Sequence, residues 1–153
     1  MEDLLKIVLS RPSHPGNIGS SARAIKVMGF SNLALVKPKL FPHREADALA
    51  SGATDILKSA SVFLELSDAV REETMVYGLT ARPRHFALPI LTPRQAAEEM
   101  TKNPQKTALV FGSENGGLLN EEINFCHKII TIETGDDYSS LNLAHAVTIC
   151  LYE

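Results

Sequence analysis

Short apolar runs alternate with polar and amphipathic segments along the whole chain. The apolar runs predict six strands, at 4–9, 33–36, 61–64, 75–80, 107–112 and 129–132. Helical spacing of apolar positions predicts helices at 17–30, 68–73, 93–101, 120–126 and from 141 to the end. Continuous apolar strands between helices are typical of a parallel sheet that is covered on both faces. The pattern therefore predicts an α/β fold with a mostly parallel sheet and helices on both faces.

The first and last predicted helices each show a distinctive pattern. In the first, Ile18, Ala22 and Ile25 form an apolar face, and Arg23 lies on the opposite face. The last pattern is still periodic at Tyr152 and has no Gly, Asn or Pro stop signal. We therefore expect the natural chain to continue beyond this helix.

Length and composition indicate a single globular unit. The chain has 153 residues, enough for one self-sufficient domain. Hydrophobic residues make up 44% and charged residues 22%, which argues against a disordered, collagen-like or coiled-coil protein. No apolar run exceeds the length of a strand, and acids follow Met1 where a signal peptide would carry Lys or Arg. We expect a cytoplasmic protein with no membrane partner.

The net charge of −3 hides a strong asymmetry along the chain. Residues 4–44 contain no acid and seven basic side chains: Lys6, Arg11, Arg23, Lys26, Lys37, Lys39 and Arg44. A second acid-free window, 74–97, holds Arg82, Arg84, His85 and Arg94. Residues 95–153 carry nine acids against three lysines. The basic windows are either a polyanion-binding surface or solvated faces that happen to sort this way.

Several common functional motifs are absent. The stretch 112–117 has the GxxxxG spacing of a phosphate-binding loop, but Leu118 and Leu119 stand where Lys and Ser/Thr are required. No GxGxxG follows the first strand, so a dinucleotide site is not expected, and the five histidines have no ligand spacing, so no metal site is expected. Cys126 and Cys150 lack CxxC spacing, which predicts buried, inert thiols.

Three sequence blocks carry a sharper signal together than any of them alone. They are NIGSSARA at 17–24, VFGSENGGL at 110–118 and YSSLNLA at 138–144. In this order and spacing they resemble the three motifs of the SpoU branch of the SPOUT RNA 2′-O-ribose methyltransferases, and the resemblance covers nearly the whole chain. The segments 14–19, 80–82 and 138–142 are most similar to members that methylate an anticodon-loop pyrimidine of tRNA.

The resemblance implies a more specific fold and assembly than the residue pattern. It implies a C-terminal trefoil knot, S-adenosylmethionine bound bent within the knot, and a homodimer that completes the active site. Members of the tRNA-specific type carry a C-terminal extension after the last helix. We therefore expect residues 1–153 to form one methyltransferase domain without that extension.

The family pattern also assigns roles to individual residues. Asn17 and Arg23 belong to the first motif, Glu114 to the second, and Ser140 and Asn142 to the third, and all five are candidate catalytic residues. Methyl transfer to a ribose hydroxyl requires alignment of the hydroxyl, loss of its proton and stabilisation of developing negative charge. Because Arg is always protonated, Arg23 is better suited to grip a phosphate and stabilise an incipient alkoxide than to act as a general base.

Binding residues follow from the same resemblance. The candidate cofactor-binding residues are Leu79, Thr80, Ala81, Gly112, Gly117, Ile132, Ser139, Ser140, Leu141 and Asn142. The candidate RNA-binding residues are Arg11, Arg23, Arg82 and Arg84. Glu114 either orients Asn17 or Arg23 or caps the turn that follows it, and Asn142 is expected to act as both a helix cap and a site residue.

Two departures from the family pattern bear on the substrate. Ser113 and Asn115 stand where arginines are usual, and residues 134–137 replace a proline-containing segment with one that holds two aspartates. These changes make the rim of the site less attractive to RNA phosphates. The leading prediction is a tRNA 2′-O-methyltransferase. An rRNA ribose methyltransferase and a non-catalytic RNA-binding module of the same fold are the alternatives, and an NAD-dependent oxidoreductase has no motif behind it.

Overall fold

The structure is a computed structural model that describes residues 1–82 and 87–153. Its seven strands form one sheet in which every pairing is parallel. The strands are β1 (Leu5–Ser10), β2 (Leu33–Val36), β3 (Ser61–Phe63), β4 (Met75–Leu79), β5 (Ile90–Leu91), β6 (Thr107–Phe111) and β7 (Lys128–Ile130). Their order across the sheet is β3-β2-β1-β6-β4-β7-β5. The predicted α/β class and parallel sheet are confirmed.

Helices connect the strands. They are α1 (Pro15–Val27), α2 (Arg44–Ala50), α3 (Thr54–Ser59), α4 (Leu66–Ala69), α5 (Pro93–Lys102), α6 (Asn120–Ile123) and α7 (Leu143–Tyr152), with a 3-10 turn at Ser51–Ala53. The first and last of these helices, α1 and α7, pack against each other. This contact brings the first and third sequence motifs to the same side of the sheet.

Two apolar layers cover the sheet, one on each face. Alternate residues of a strand point to opposite faces, so Ile7 and Leu9 of β1 join the layer that contains α1 and α7. Val8, between them, joins the layer that contains Ile123 of α6 and Ile129 of β7. Because both faces of the central strands are buried, those strands are apolar at nearly every position.

Helix α1 begins at a proline and is followed by a glycine, two residues that favour a helix start and a helix end. Pro15 is the first helical residue, where its missing N–H costs no hydrogen bond. Ile18, Ala22 and Ile25 are fully buried, as the spacing predicted. Gly29 follows the helix with a φ of +87°, a conformation that glycine adopts without steric cost. The prediction placed Pro15 before the helix, so it was wrong by two residues at this end.

Other differences from the predicted elements have physical causes. Strand β5 was not predicted because it has only two residues. Helix α4 begins at Leu66 rather than at 68 and ends at Ala69 rather than at 73, because Leu66 and Ala69 are the buried positions. Helix α7 begins at Leu143 rather than at 141, because the Asn142 side chain caps it.

Candidate functional site

An open cleft of about 360 Å³ lies where the carboxyl ends of β4, β6 and β7 meet. In parallel sheets ligands bind at this edge, beyond the ends of the strands. Three stretches line the cleft, namely 79–82 after β4, 111–118 after β6, and residues after β7 that include Ile132, Ser139, Ser140 and Leu141. The lining is part polar and part apolar, with hydroxyls, backbone amides and aliphatic side chains close together.

The loop 112–118 folds back on itself in a way that requires glycine. The Gly117 N–H donates a hydrogen bond to the Ser113 carbonyl oxygen at 2.9 Å, and the two residues form an antiparallel bridge. A Cβ on Gly112 would lie only 2.1 Å from the Gly117 carbonyl carbon. Gly117 has a φ of +65°, which other residues rarely adopt. At its three glycines, Gly112, Gly116 and Gly117, the loop therefore presents only backbone groups to the cleft.

The carboxylate of Glu114 joins this loop to the start of α1. It accepts hydrogen bonds from the backbone N–H groups of Ser13 and His14, both at 2.9 Å, and from Nδ2 of Asn17 at 3.0 Å. Desolvation by burial works to raise the pKa of Glu114, but these hydrogen bonds outweigh it, so the pKa lies below its ordinary value. Glu114 is therefore an ionised anchor for the first motif, one of the two roles predicted for it.

Asn17 and Asn142 extend this connection to the third motif. Asn142 Nδ2 donates a hydrogen bond to Asn17 Oδ1 at 3.1 Å. Asn142 Oδ1 accepts from the backbone N–H groups of Ala144 and His145, at 2.9 and 3.4 Å, and so caps α7. One continuous set of hydrogen bonds therefore links the three motifs, through Glu114, Asn17 and Asn142.

The four predicted RNA-binding arginines lie in different surroundings. Arg82 lines the cleft and is exposed. Arg23 is exposed on α1, does not line the cleft, and has no hydrogen-bond or ion-pair partner among residues 1–82 and 87–153. Arg11 is held by Glu122 at 2.7 Å and by the Gly117 carbonyl oxygen at 2.9 Å. Arg84 lies outside the described residues.

The acid-free window at 4–44 is less basic in three dimensions than in the sequence. Four of its seven cations pair with acids from other parts of the chain, namely Lys6 with Glu73, Arg11 with Glu122, Lys26 with Asp55 and Lys37 with Glu65. Within the described part of the chain, only Arg23, Lys39 and Arg44 of that window have no ion pair. Among the described residues the window therefore presents three unpaired cations rather than seven, which reduces the support for a polyanion-binding surface across its whole length.

Most of the predicted cofactor residues come together in the cleft. Nine of the ten line it, and the tenth, Asn142, contacts Asn17 beside it. Of the candidate catalytic residues, Glu114 and Ser140 line the cleft, and Arg23 does not. The cleft also involves residues that sequence reasoning did not select: Phe111, Ser113, Asn115, Gly116, Leu118, Thr134, Leu143 and Ala146. Six of these eight lie within the motif blocks 110–118 and 138–144, so counting every residue of each block as a candidate would have found them.

The two cysteines are free. Cys126 is buried, and Cys150 is partly buried near the end of α7. Burial raises the pKa of each thiol to about 12, so both are protonated near neutral pH. Because a protonated thiol is a poor nucleophile, both cysteines are inert, as predicted. The described residues contain no cluster of three or more His, Cys, Asp or Glu side chains placed to hold a metal, and none of their helices is long and apolar enough to cross a bilayer.

The fold and the cleft together define an α/β domain with a ligand site at the carboxyl ends of its strands and a glycine-rich loop over that site. The chain belongs to the SpoU rRNA methylase family, whose sequence model matches residues 4–152. The resemblance found in the three motifs is thereby confirmed at the level of the family.

Curated relatives match all or nearly all of the chain. The protein named tRNA (cytidine/uridine/adenosine-2′-O-)-methyltransferase TrmJ of Pseudomonas aeruginosa is 46% identical, over 100% of this chain and 61% of its own length. The tRNA (cytidine/uridine-2′-O-)-methyltransferase TrmJ of an Escherichia coli strain is 44% identical, over 97% of this chain and 61% of its own. This chain thus spans about three fifths of the length of these relatives.

Solved structures show the same fold. A probable methylase family protein from Haemophilus influenzae superposes with a TM-score of 0.95 at 44% identity, over 99% of this chain and 65% of that one. TrmJ from Z. mobilis superposes with a TM-score of 0.92 at 37% identity, over 96% of this chain and 66% of that one. The similarity to both structures extends over nearly the whole of this chain.

Proposed function

We propose that the cleft binds S-adenosylmethionine and that the protein methylates the ribose 2′-hydroxyl of a tRNA anticodon-loop pyrimidine. One observation carries the proposal. The three family motifs are far apart in sequence. The second and third line the cleft, and the first lies beside it, joined to them by the hydrogen bonds of Glu114, Asn17 and Asn142. Family membership and the names of the curated relatives support the same activity.

The residues that line the cleft fit this cofactor. A volume of about 360 Å³ is within the range of small-molecule sites. The backbone of 79–81 and of the glycine-rich loop offers donors and acceptors for an adenosine, and Leu79, Ile132 and Leu141 offer apolar contacts for its ring. The side chains of Ser139 and Ser140 add two hydroxyls to the lining, which can bond polar groups of the ligand. The three segments therefore provide both the apolar and the polar contacts that S-adenosylmethionine requires.

When bound, S-adenosylmethionine supplies a methyl group on a positively charged sulfur. The protein then has to orient the ribose hydroxyl and stabilise the charge that develops on its oxygen. Arg23 carries a permanently charged guanidinium, free among the described residues, and so suits the phosphate beside the target ribose. Asn17 and Glu114 hold the start of α1 and thereby fix the direction from which Arg23 extends.

Arg23 lies off the cleft of its own chain, which supports a site completed by a second copy. We infer a homodimer in which the exposed arginine of one subunit serves the cleft of the other, a trefoil knot formed by the segment from β7 to α7, and a single domain over residues 1–153. We also infer a cytoplasmic location, because tRNA modification takes place there. Arg82 lines the cleft and is exposed, so of the predicted RNA-binding arginines it is the best placed to contact RNA there.

Transfer of a labelled methyl group from S-adenosylmethionine to unmodified tRNA tests the activity. The methylated nucleotide is then mapped by its resistance to alkaline cleavage, and rRNA fragments serve as the competing substrate. Methylation of a pyrimidine in the anticodon loop supports the proposal. Methylation of rRNA alone would identify the rRNA enzyme, and RNA binding without any cofactor affinity would identify a non-catalytic module.

A further inference from the structure

The guanidinium of Arg11 is partly buried and held by two partners. Its Nη2 donates to Glu122 Oε1 at 2.7 Å and to the Gly117 carbonyl oxygen at 2.9 Å. Gly117 lies in the loop that lines the cleft, whereas Arg11 follows the last residue of β1. The Arg11 side chain is 29% exposed and that of Glu122 only 8%. Arg11 therefore joins the glycine-rich loop to the central strand β1.

The carboxylate of Glu122 provides the other half of this connection. Its Oε1 also accepts from the Leu119 backbone N–H at 2.7 Å, and its Oε2 accepts from the Ser10 hydroxyl. The C-terminal end of the fold-back loop, at 117 and 119, is thus tied to the end of β1 through one ion pair. A buried carboxylate with this many partners is a rigid attachment point.

The backbone of Arg11 is itself unusual. Its φ is +56°, in the left-handed region that non-glycine residues rarely adopt. Its N–H donates to the Val36 carbonyl oxygen at 2.7 Å, which holds this conformation in place. The surrounding structure thus fixes Arg11 in a conformation that it would not adopt alone, and in that conformation its side chain reaches the loop.

We propose that Arg11 and Glu122 are positioning residues that hold the glycine-rich loop in its cofactor-binding shape. This assigns Arg11 to the cofactor side of the site instead of to RNA contact. The expected effect on cofactor affinity rests on the proposed function. The expected effect on hydrogen exchange at the Gly117 and Leu119 amides does not, because it can be measured whether or not the cleft binds S-adenosylmethionine.

The first test compares Arg11→Met with the unaltered protein by calorimetric titration with S-adenosylhomocysteine and by hydrogen exchange of the loop. We expect affinity to fall about ten-fold or more, because small displacements of positioned groups are costly. We also expect faster exchange at the Gly117 and Leu119 amides. Lys26→Met, which breaks the exposed pair with Asp55, is the matched control and should change neither quantity.

The double variant Arg11→Met with Glu122→Leu separates positioning from simple stability. Removing both charges eliminates the penalty of an unpaired buried carboxylate, so thermal stability should recover relative to Arg11→Met. The loop would still lack its attachment, so weak binding and fast amide exchange should persist. Recovery of binding together with stability would overturn the proposal, as would unchanged loop exchange in both variants. Weaker RNA binding with normal cofactor affinity would return Arg11 to the RNA surface.

A failure of the proposed function would give a different result. If the unaltered protein binds no S-adenosylhomocysteine, the cofactor assignment fails, while loop exchange in the two variants still decides whether Arg11 and Glu122 hold the loop. Arg11→Lys adds a graded check. It keeps the charge but not the planar guanidinium, whose Nη2 donates to both Glu122 and Gly117 while Nε lies 3.5 Å from Glu122 Oε2, so loop exchange should be intermediate.

Discussion

The side-chain amide of Asn142 donates to the Oδ1 of Asn17 at 3.1 Å, across 125 positions of sequence. The Nδ2 of Asn17 in turn donates to Glu114, so the orientation of the Asn17 amide is fixed at both of its ends. Asn142 uses its own oxygen to cap α7. An amide that donates on one side and accepts on the other suits this place, because neither a carboxylate nor an amine can do both.

Replacing Asn17 with Ala should disconnect the motifs. It removes a donor from Glu114 and an acceptor from Asn142, and we expect the free energy of unfolding to fall by about 1–3 kcal/mol. Urea denaturation measures this change. Asn124→Ala, at an exposed position on the surface of the same domain, is the control and should be close to neutral. A loss as small as that of the control would mean that the Asn17 contacts carry little energy.

The pH dependence of stability should reveal Glu114. Burial raises the pKa of Glu114, but hydrogen bonds from Ser13, His14 and Asn17 together lower it by more than burial raises it. The pKa in the folded protein therefore lies below the ordinary value of 4.5. The stabilisation is then fully present above pH 4.5 and is lost as the pH falls through the folded pKa. Stability measured between neutral and acidic pH should decline less steeply in Glu114→Gln than in the unaltered protein. Parallel declines would contradict the low pKa.

Replacing Gly112 with Ala should disrupt the glycine-rich loop. The added Cβ would lie 2.1 Å from Gly117 and 2.3 Å from Leu118, both backbone contacts that cannot move independently. We expect a loss of about 1–3 kcal/mol in stability and a much weaker affinity for S-adenosylhomocysteine. Gly52→Ala meets no atom within 4 Å and should leave binding intact. Full binding by Gly112→Ala would show that the loop can rearrange freely.

Replacing Arg23 with Ala should impair methyl transfer while folding and cofactor binding stay intact. The side chain is exposed and does not line the cleft, so folding and cofactor affinity should be unchanged. Loss of a group that stabilises developing charge should lower kcat about a hundred-fold or more. The measurement is methyl transfer to tRNA at saturating S-adenosylmethionine. Near-normal kcat in Arg23→Ala would remove Arg23 from the catalytic residues.

The salt dependence of RNA binding should identify Arg82 as a residue that binds phosphate. For each phosphate that the protein no longer neutralises, the slope of log affinity against log salt should decrease by about 0.9 on duplex RNA or about 0.7 on single strands. Arg82→Ala is expected to show that decrease. Arg71→Ala, which removes an exposed arginine paired with Asp68, provides the comparison. Equal slopes for both variants would mean that Arg82 does not touch phosphate.

The fold was largely predictable from the sequence, and the reasons differ between elements. The apolar runs at β1 and β6 marked central strands because residues there are buried on both faces. Strand β5 gave no such signal, since two residues cannot show a period. Helix ends were predicted only to within a few residues, because the exact boundary depends on capping side chains such as Asn142 and not on helix propensity alone.

The candidate site was only partly predictable. The residues that line the cleft came from the motif resemblance, which carries information that composition and periodicity lack. The pairing of Arg11 with Glu122 was not predictable, because it joins residues 111 positions apart with no local spacing to mark it. For the same reason, the basic run at 4–44 gave a misleading impression of surface charge, since its partners come from distant segments.

Calorimetric titration with S-adenosylhomocysteine tests the central claim most directly, because cofactor capture requires only the cleft at the carboxyl ends of the strands. NAD serves as the control ligand and Gly112→Ala as the control protein. We predict saturable binding of S-adenosylhomocysteine, no binding of NAD, and strongly weakened binding in Gly112→Ala. No binding of S-adenosylhomocysteine by the folded protein would contradict the assignment of the cleft and, with it, the proposed methyl transfer.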